Sequence, residues 1–183
     1  MILLRLRDVV CVRGGRTLFE GIDLTIGPGA AVLVTGANGA GKSSLLRIAA
    51  GLLMPTRGAA ERVPAALADA RPALDEELPL GRALGWWTGR ERAAAALDRW
   101  DLGALAGVPV RLLSTGQRQR ANLARATAGT HRLWLLDEPA NGLDVASCGL
   151  LEAAIAAHRA AGGAVAVATH QPVALPDATA VRL

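Results

Sequence analysis

Gly36, Ala37, Asn38, Gly39, Ala40, Gly41, Lys42, Ser43 and Ser44 follow the spacing G-x-x-x-x-G-K-[ST], the pattern of a phosphate-binding loop. Glycines let the backbone turn tightly with its amide N–H groups pointing inward, toward an anion. A helix starting at the loop would add its partially positive N-terminus. In such a loop Lys42 reaches the β- and γ-phosphates of a nucleotide, and the Ser43 hydroxyl binds Mg²⁺. Lys42 is also the only lysine of the chain, every other basic side chain being arginine. A compact ammonium enters a closed phosphate cradle where a planar guanidinium fits poorly.

A second group stands about one hundred residues later, where Leu133-Trp-Leu-Leu-Asp-Glu138 puts two carboxylates at the end of an apolar run. Asp137 is placed to hold Mg²⁺, directly or through water. Glu138 is placed to polarise an attacking water.

The elements that must position these groups follow from the patterning. Residues near 2–12 and 20–26 alternate and read as antiparallel strands joined through Gly14-Gly15. Ala30–Thr35 is a short apolar run ahead of the loop, and Leu45–Gly51 reads as the helix after it. Pro55–Gly58 reads as a turn and Ala65–Ala68 as a strand. A helical insert, about 75–128, begins with Leu80–Trp87 and Arg90–Trp100, for which Trp86, Trp87, Leu97 and Trp100 are the apolar anchors. Arg132–Asp137 and Ala164–Thr169 are further buried strands, separated by a helix over Val145–Ala161, and Thr179–Leu183 is a last strand. The alternation predicts an α/β fold with a mainly parallel sheet, helices on both faces, an antiparallel N-terminal β-subdomain and the small helical insert. Sites in such sheets lie at the carboxyl ends of strands. Gly36, Asp137 and His170 all fall there.

The 183 residues suit one domain, 1–183. Half of them (51%) are hydrophobic, yet no run approaches the roughly 18 apolar residues of a membrane span. The alternating N-terminus predicts no signal peptide. Net charge is +4, with arginines scattered rather than striped, which gives nucleic acid no footprint. Cys11 and Cys148 have no metal or redox spacing and read as reduced packing residues. His131 and His158 read as surface residues.

Taken together, these motifs resemble those of the nucleotide-binding subunits of ATP-binding cassette (ABC) transporters, over essentially the whole chain. Leu113-Ser-Thr-Gly-Gln117 is similar to the family signature L-S-G-G-Q, Ala140-Asn-Gly-Leu-Asp144 to its D-loop, and His170 to its switch histidine. The resemblance implies a P-loop ATPase that uses ATP and Mg²⁺. It implies a homodimer in which Ser114, Thr115, Gly116 and Gln117 of one subunit meet the γ-phosphate held by the other, with Asp144 at the seam. It makes Glu138, His170 and Lys42 the catalytic residues. Two positions depart from the family. Ala70 stands where a loop glutamine is usual, and neither it nor Arg71 replaces an amide. Arg13 stands near the adenine-stacking aromatic position, where it either stacks on the base or is a solvent-exposed hairpin arginine.

A finer resemblance rests on Arg47–Leu53, Thr115 and Ala168-Thr-His-Gln-Pro-Val-Ala-Leu-Pro-Asp177, which are similar to the ATP-binding subunit of the haem exporter of cytochrome c biogenesis. This implies a peripheral protein on the cytoplasmic face of the bacterial inner membrane, bound to integral membrane subunits. No C-x-x-C-H motif occurs, so no direct haem binding is expected. The alternatives are the ATPase of another small ABC transporter, or a degenerate ATP-binding scaffold. Trp86 and Trp87 read either as core of the insert or as anchors for the membrane partner.

Overall fold

In the computed structural model, which describes residues 1–70 and 73–183, the chain opens on an antiparallel hairpin. Its strands are β1 (Leu4–Arg13) and β2 (Arg16–Ile26), joined through Gly14 and Gly15. Next come β3 (Ala31–Thr35), the loop, and α1 (Lys42–Ala50). The expected turn over Pro55–Gly58 is corrected in its second half: Arg57 and Gly58 already belong to β4 (Arg57–Arg62). β4 pairs antiparallel with β1 and covers that strand's other edge. Its side chains are mostly exposed, so it carries no apolar alternation to reveal it.

After β5 (Ala65–Ala68) come the insert helices α2 (Leu80–Thr88) and α3 (Arg90–Arg99), then α4 (Thr115–Thr127). β6 (Leu133–Asp137), α5 (Val145–Ala160), β7 (Ala164–Ala168) and β8 (Thr179–Arg182) complete the order. The second sheet is parallel throughout, in the order β5-β6-β7-β3-β8. Arg71 lies outside the described residues.

The period of two along each strand divides the interior into two cores. Leu133, Leu135, Val32, Val34, Ala164 and Ala166 face α1 and the antiparallel sheet, whose Leu4, Leu6 and Phe19 join them. Trp134, Leu136, Val165 and Val167 face α4, α5 and the insert. β6 and β7 are thus buried on both sides, as parallel strands between helix layers are.

The insert is held by Trp100, fully buried, whose Nε1 donates to Thr127 Oγ1 at 3.1 Å, and by buried Leu97. Trp86 and Trp87 are not part of that core. Trp86, 86% exposed, lies on the outer side of a helix whose inner face is Leu80, Ala83 and Leu84; Trp87 continues that inner stripe but in the last turn of the helix, where it stays 55% exposed. The indole of Trp87 still has a fixed place: its Nε1 donates to Ala73 O at 3.0 Å, and the Arg125 guanidinium lies 5.3 Å from its ring centre.

His158 also departs from expectation. It is half-buried, stacked on Trp134 with ring centres 3.7 Å apart, and its Nε2 lies 3.2 Å from Arg132 O. A helical position four residues short of a Gly-Gly pair looks like surface in sequence. Gly163, however, brings the chain back across the ring so closely that any Cβ there would collide with it. His131 is exposed.

Candidate functional site

The phosphate loop joins the carboxyl end of β3 to α1. Gly41, the residue before the helix, sits at φ 107°, and a Cβ there would lie 2.9 Å from the Phe19 ring. Only glycine combines that conformation with that contact, so β2 and the loop are locked together. Lys42 is buried, and its Nζ donates to Gly36 O at 2.9 Å and Ala37 O at 3.4 Å. The ammonium is thereby aimed back over the loop, with a third donor direction remaining.

Opposite lies the end of β6. Asp137 follows Leu133 and Leu135 on the α1 side of the sheet, and the Ser43 hydroxyl hydrogen-bonds its carboxylate. Burial pushes the Asp137 carboxyl up from its ordinary pKa; Ser43 and Arg47 pull the other way, and Glu138 and Asp69 add to the rise. Glu138 has φ 49°, a left-handed conformation costly for a residue with a side chain. Its backbone N–H donates to Ala168 O at 2.7 Å, and Gln119 Nε2 donates to the carbonyls of Glu138 and Pro139 at 3.4 and 3.0 Å. The bend therefore has fixed neighbours on both sides.

His170, just past β7, completes the group. Its Nδ1 is 2.9 Å from Glu138 Oε1, and its backbone N–H donates to Glu138 Oε2 at 3.3 Å. Burial works against the Glu138 carboxylate, but the bonds from the His170 ring and backbone and from Thr169 together outweigh it and hold its pKa below the ordinary value.

Leu18, Asn38, Gly39, Gly41, Lys42, Ser43, Ser44, Asp137 and Glu138 line one open cleft of about 460 Å³. Ser43 and Asp137 offer it hard oxygen donors of the kind Mg²⁺ takes. Among the described residues no group of three or more His, Cys, Asp or Glu could hold a metal ion. A cation here would depend on these two residues together with a nucleotide's own phosphate oxygens.

Arg13 does not line this cleft. It ends β1, paired across the hairpin with Arg16, and is exposed. The signature residues are elsewhere too. Ser114 is the N-cap of α4, accepting from Gln117 N at 3.3 Å while its own N–H donates to Gln117 Oε1 at 2.9 Å. This reciprocal pair is a capping box, and it fixes the helix N-terminus. Gly116 abuts the D-loop: a Cβ there would lie 2.9 Å from Gly142 O. Asp144 caps α5, accepting from Ser147 N at 2.7 Å, and its bonds to Ser147 hold its pKa low. Ala70 and Thr115 border a separate cavity of about 410 Å³, with Asp69, Gln119, Asn122 and Asn141 on its wall.

Three polar links were not foreseen from sequence. Arg47 Nη2 pairs with Asp69 Oδ2 at 3.0 Å, Asn122 Nδ2 donates to Asp69 O at 2.8 Å, and Gln171 Nε2 donates to Asn141 Oδ1 at 3.1 Å. Arg47 falls four residues after Ser43, a spacing that puts both on one helix face and was a usable signal.

Comparison with known proteins agrees with this geometry. Residues 19–141 match the family model described as ABC transporter. The chain is 50% identical over 182 residues to the cytochrome c biogenesis ATP-binding export protein CcmA of Sphingopyxis alaskensis, covering 96% of this chain and 94% of that protein. It is 53% identical over 169 residues to the protein of the same name from Novosphingobium aromaticivorans, covering 92% and 88%. A solved structure of the ATP-binding subunit of an ABC transporter superposes with a TM-score of 0.83 over 92% of this chain and 79% of that one, at 24% identity, which speaks to the fold. The chain belongs to the ABC transporter family, among the cytochrome c biogenesis ATP-binding export proteins.

Proposed function

We propose that this chain is the ATPase subunit of an ABC export complex in cytochrome c biogenesis, and that it binds Mg-ATP in the cleft between the phosphate loop and the end of β6. The observation that carries this reading is that cleft itself. Lys42, Ser43, Asp137 and Glu138, nearly one hundred residues apart in sequence, line one space. Gly36 to Ser44 cradle the phosphates, Lys42 neutralises the β- and γ-phosphates, and Ser43 and Asp137 hold the cation. Bound there, Mg²⁺ would neutralise charge on the phosphate oxygens. Glu138, oriented by His170, aligns water for in-line attack on the γ-phosphorus. Positioning and charge stabilisation do most of the work in phosphoryl transfer.

The signature residues complete the site from a second copy. Their place at the N-terminus of α4, outside the lining of the phosphate cleft, supports this. Ser114, Thr115, Gly116 and Gln117 then offer backbone N–H groups and a hydroxyl to the γ-phosphate across the seam. Asp144 stands beside it. Arg13, at the exposed end of β1, is the group proposed to lie near the base.

The partners are integral membrane subunits. Among the described residues no helix is long and apolar enough to cross a membrane, so the chain would be held peripherally, at the cytoplasmic face of the inner membrane. Trp86 and Trp87 are the proposed anchors. Haem handling belongs to the membrane subunits. Closure and reopening of the dimer would move them.

A non-hydrolysing scaffold is the second reading, favoured by Ala70, which lacks the amide usual at that position. Steady-state Mg-ATPase activity of the purified protein beside Glu138→Gln, each with and without the membrane subunits, decides between them. Turnover that Glu138→Gln abolishes establishes the enzyme. ATP binding without turnover, even with the partner present, establishes the scaffold.

A further inference from the structure

The start of α4 rests on the turn that follows β6. Gly116 and Gln119 stand at positions i and i+3 of the helix, a spacing that puts both on one face. Gly116 meets one end of the turn, where a Cβ on it would lie 2.9 Å from Gly142 O. Gln119 meets the other end: its Nε2 donates to Pro139 O at 3.0 Å and to Glu138 O at 3.4 Å. An amide nitrogen carries two protons, one for each carbonyl. The Glu138 carbonyl also accepts from Asn141 N at 3.1 Å, which closes the turn. Glu138 lines the phosphate cleft, whereas Gln119 lines the separate cavity beside Ala70 and Thr115. The glutamine therefore reaches Glu138 through its backbone, while His170 holds the side chain. At φ 49° that backbone is in a conformation that a residue with a side chain keeps only where its surroundings over-determine it.

We propose that Gln119 is a positioning residue for Glu138: by holding the carbonyls of Glu138 and Pro139 it keeps the bend in the conformation that presents the Glu138 carboxylate to the attacking water, and it ties that bend to the helix that begins at Ser114. The inference rests on the Mg-ATP hydrolysis reading above. Because Gln119 is outside the lining of the phosphate cleft, its loss should act on the hydrolytic step and leave nucleotide binding as it is. A residue that only braced the fold would not make that distinction.

Steady-state Mg-ATPase activity and equilibrium binding of a fluorescent ATP analogue, on the full chain with its membrane subunits, test it. Gln119→Met keeps the length of the side chain and removes the donor. It should lower kcat about tenfold or more and leave KM and the analogue's Kd within about twofold, since a misplacement of about 1 Å can cost about 10²-fold in rate. Residues that act as a unit are not additive. In single-turnover assays Gln119→Met should therefore slow the Glu138→Gln protein by less than about twofold further. A Gln119→Met protein whose kcat stays near that of wild type overturns the proposal, as does a loss carried by KM. A loss that multiplies in full with that of Glu138→Gln also overturns it, being the pattern of a general weakening of the fold. If Gln119→Met does not fold, Gln119→Asn, one methylene shorter, withdraws the donor while keeping the amide, and the same outcomes decide. A wild type without turnover, or one that Glu138→Gln does not slow, overturns the hydrolysis reading and this inference with it. Unchanged Gln119 variants beside an active wild type overturn this inference alone.

Discussion

Glu138 and His170 are joined twice across the ends of β6 and β7, ring to carboxylate at 2.9 Å and backbone N–H to carboxylate at 3.3 Å. Both carboxylate oxygens are thus oriented by one residue, and the pair holds the Glu138 pKa below its ordinary value against the effect of burial. A base in this state is ionised well into the acid range, so activity should be lost only as pH falls through that lowered pKa. His170→Ala removes the ring bond and lets the pKa rise. The acid limb of kcat/KM should therefore move to higher pH, with kcat reduced as well. A pH–rate profile of the two proteins checks it; an acid limb that stays in place would separate His170 from the ionisation of Glu138.

Replacing the carboxylate is the more severe change. Glu138→Gln should leave ATP binding intact and lower turnover about 10²-fold or more, as expected for loss of a general base. Equilibrium binding of a fluorescent nucleotide beside the turnover assay reads both halves. Lost binding would mean that the residue supports the cleft rather than the chemistry.

Ser114 has a structural duty that the signature motif alone does not disclose. Its capping box holds the N-terminus of α4, and Ser114→Ala should cost about 1 kcal/mol, typical of a lost N-cap. In a chain of this size that is a fall of about 2–4 °C in the thermal midpoint. Ser114→Thr keeps the cap and should keep the midpoint. Calorimetry of the three proteins gives the answer, and a Ser114→Ala midpoint equal to wild type would mean that the cap contributes nothing.

The parallel strands and the phosphate loop were legible in sequence because apolar runs such as Leu133–Leu136, buried on both faces, leave few other readings. The loop motif sat between a strand and a helix as its chemistry requires. β4 was not legible: Arg57, Gly58, Glu61 and Arg62 are exposed, and the strand forms because β1 offers an edge far away in sequence. The Arg47–Asp69 pair failed to appear for the same reason, since parallel register, a long-range property, is what brings Asp69 beside Asp137. The Trp86-Trp87 pair reads in sequence either as core of the insert or as an anchor for the membrane partner. The helix phase set by Leu80, Ala83 and Leu84 turns Trp86 outward, whereas Trp87 continues their stripe and is left half-exposed because the helix ends there.

That difference leads to a prediction that separates the two indoles. Trp86 makes no hydrogen bond or ring contact recorded among the described residues and is 86% exposed, so Trp86→Ala should leave the thermal midpoint within about 1 °C, as surface changes usually do. Trp87→Ala also loses the bond to Ala73 O and the packing on Arg125, and should lower it measurably. Both should weaken co-purification with the membrane subunits. A folded Trp86→Ala protein that co-purifies as well as wild type removes Trp86 from the interface.

His158 gives the fold a pH dependence of predictable sign. Burial against Trp134 disfavours the imidazolium and lowers its pKa, although hydrogen bonds to the carbonyls of Arg132 and Ala164 pull partly the other way. The unfolded chain therefore takes up a proton at higher pH than the folded one. Linkage then requires that the stability of the stacked, neutral ring be fully present above the unfolded pKa of about 6.5 and lost as pH falls through the interval down to the folded value. His158→Phe keeps an aromatic ring on Trp134 and has no proton to take up. The difference in thermal midpoint between His158→Phe and wild type should accordingly shift in favour of the variant as pH is lowered from neutrality into the acid range, while background titrations cancel. A difference that stays constant with pH would show that the ring is protonated equally in both states, and that its stack on Trp134 does not exclude the charge.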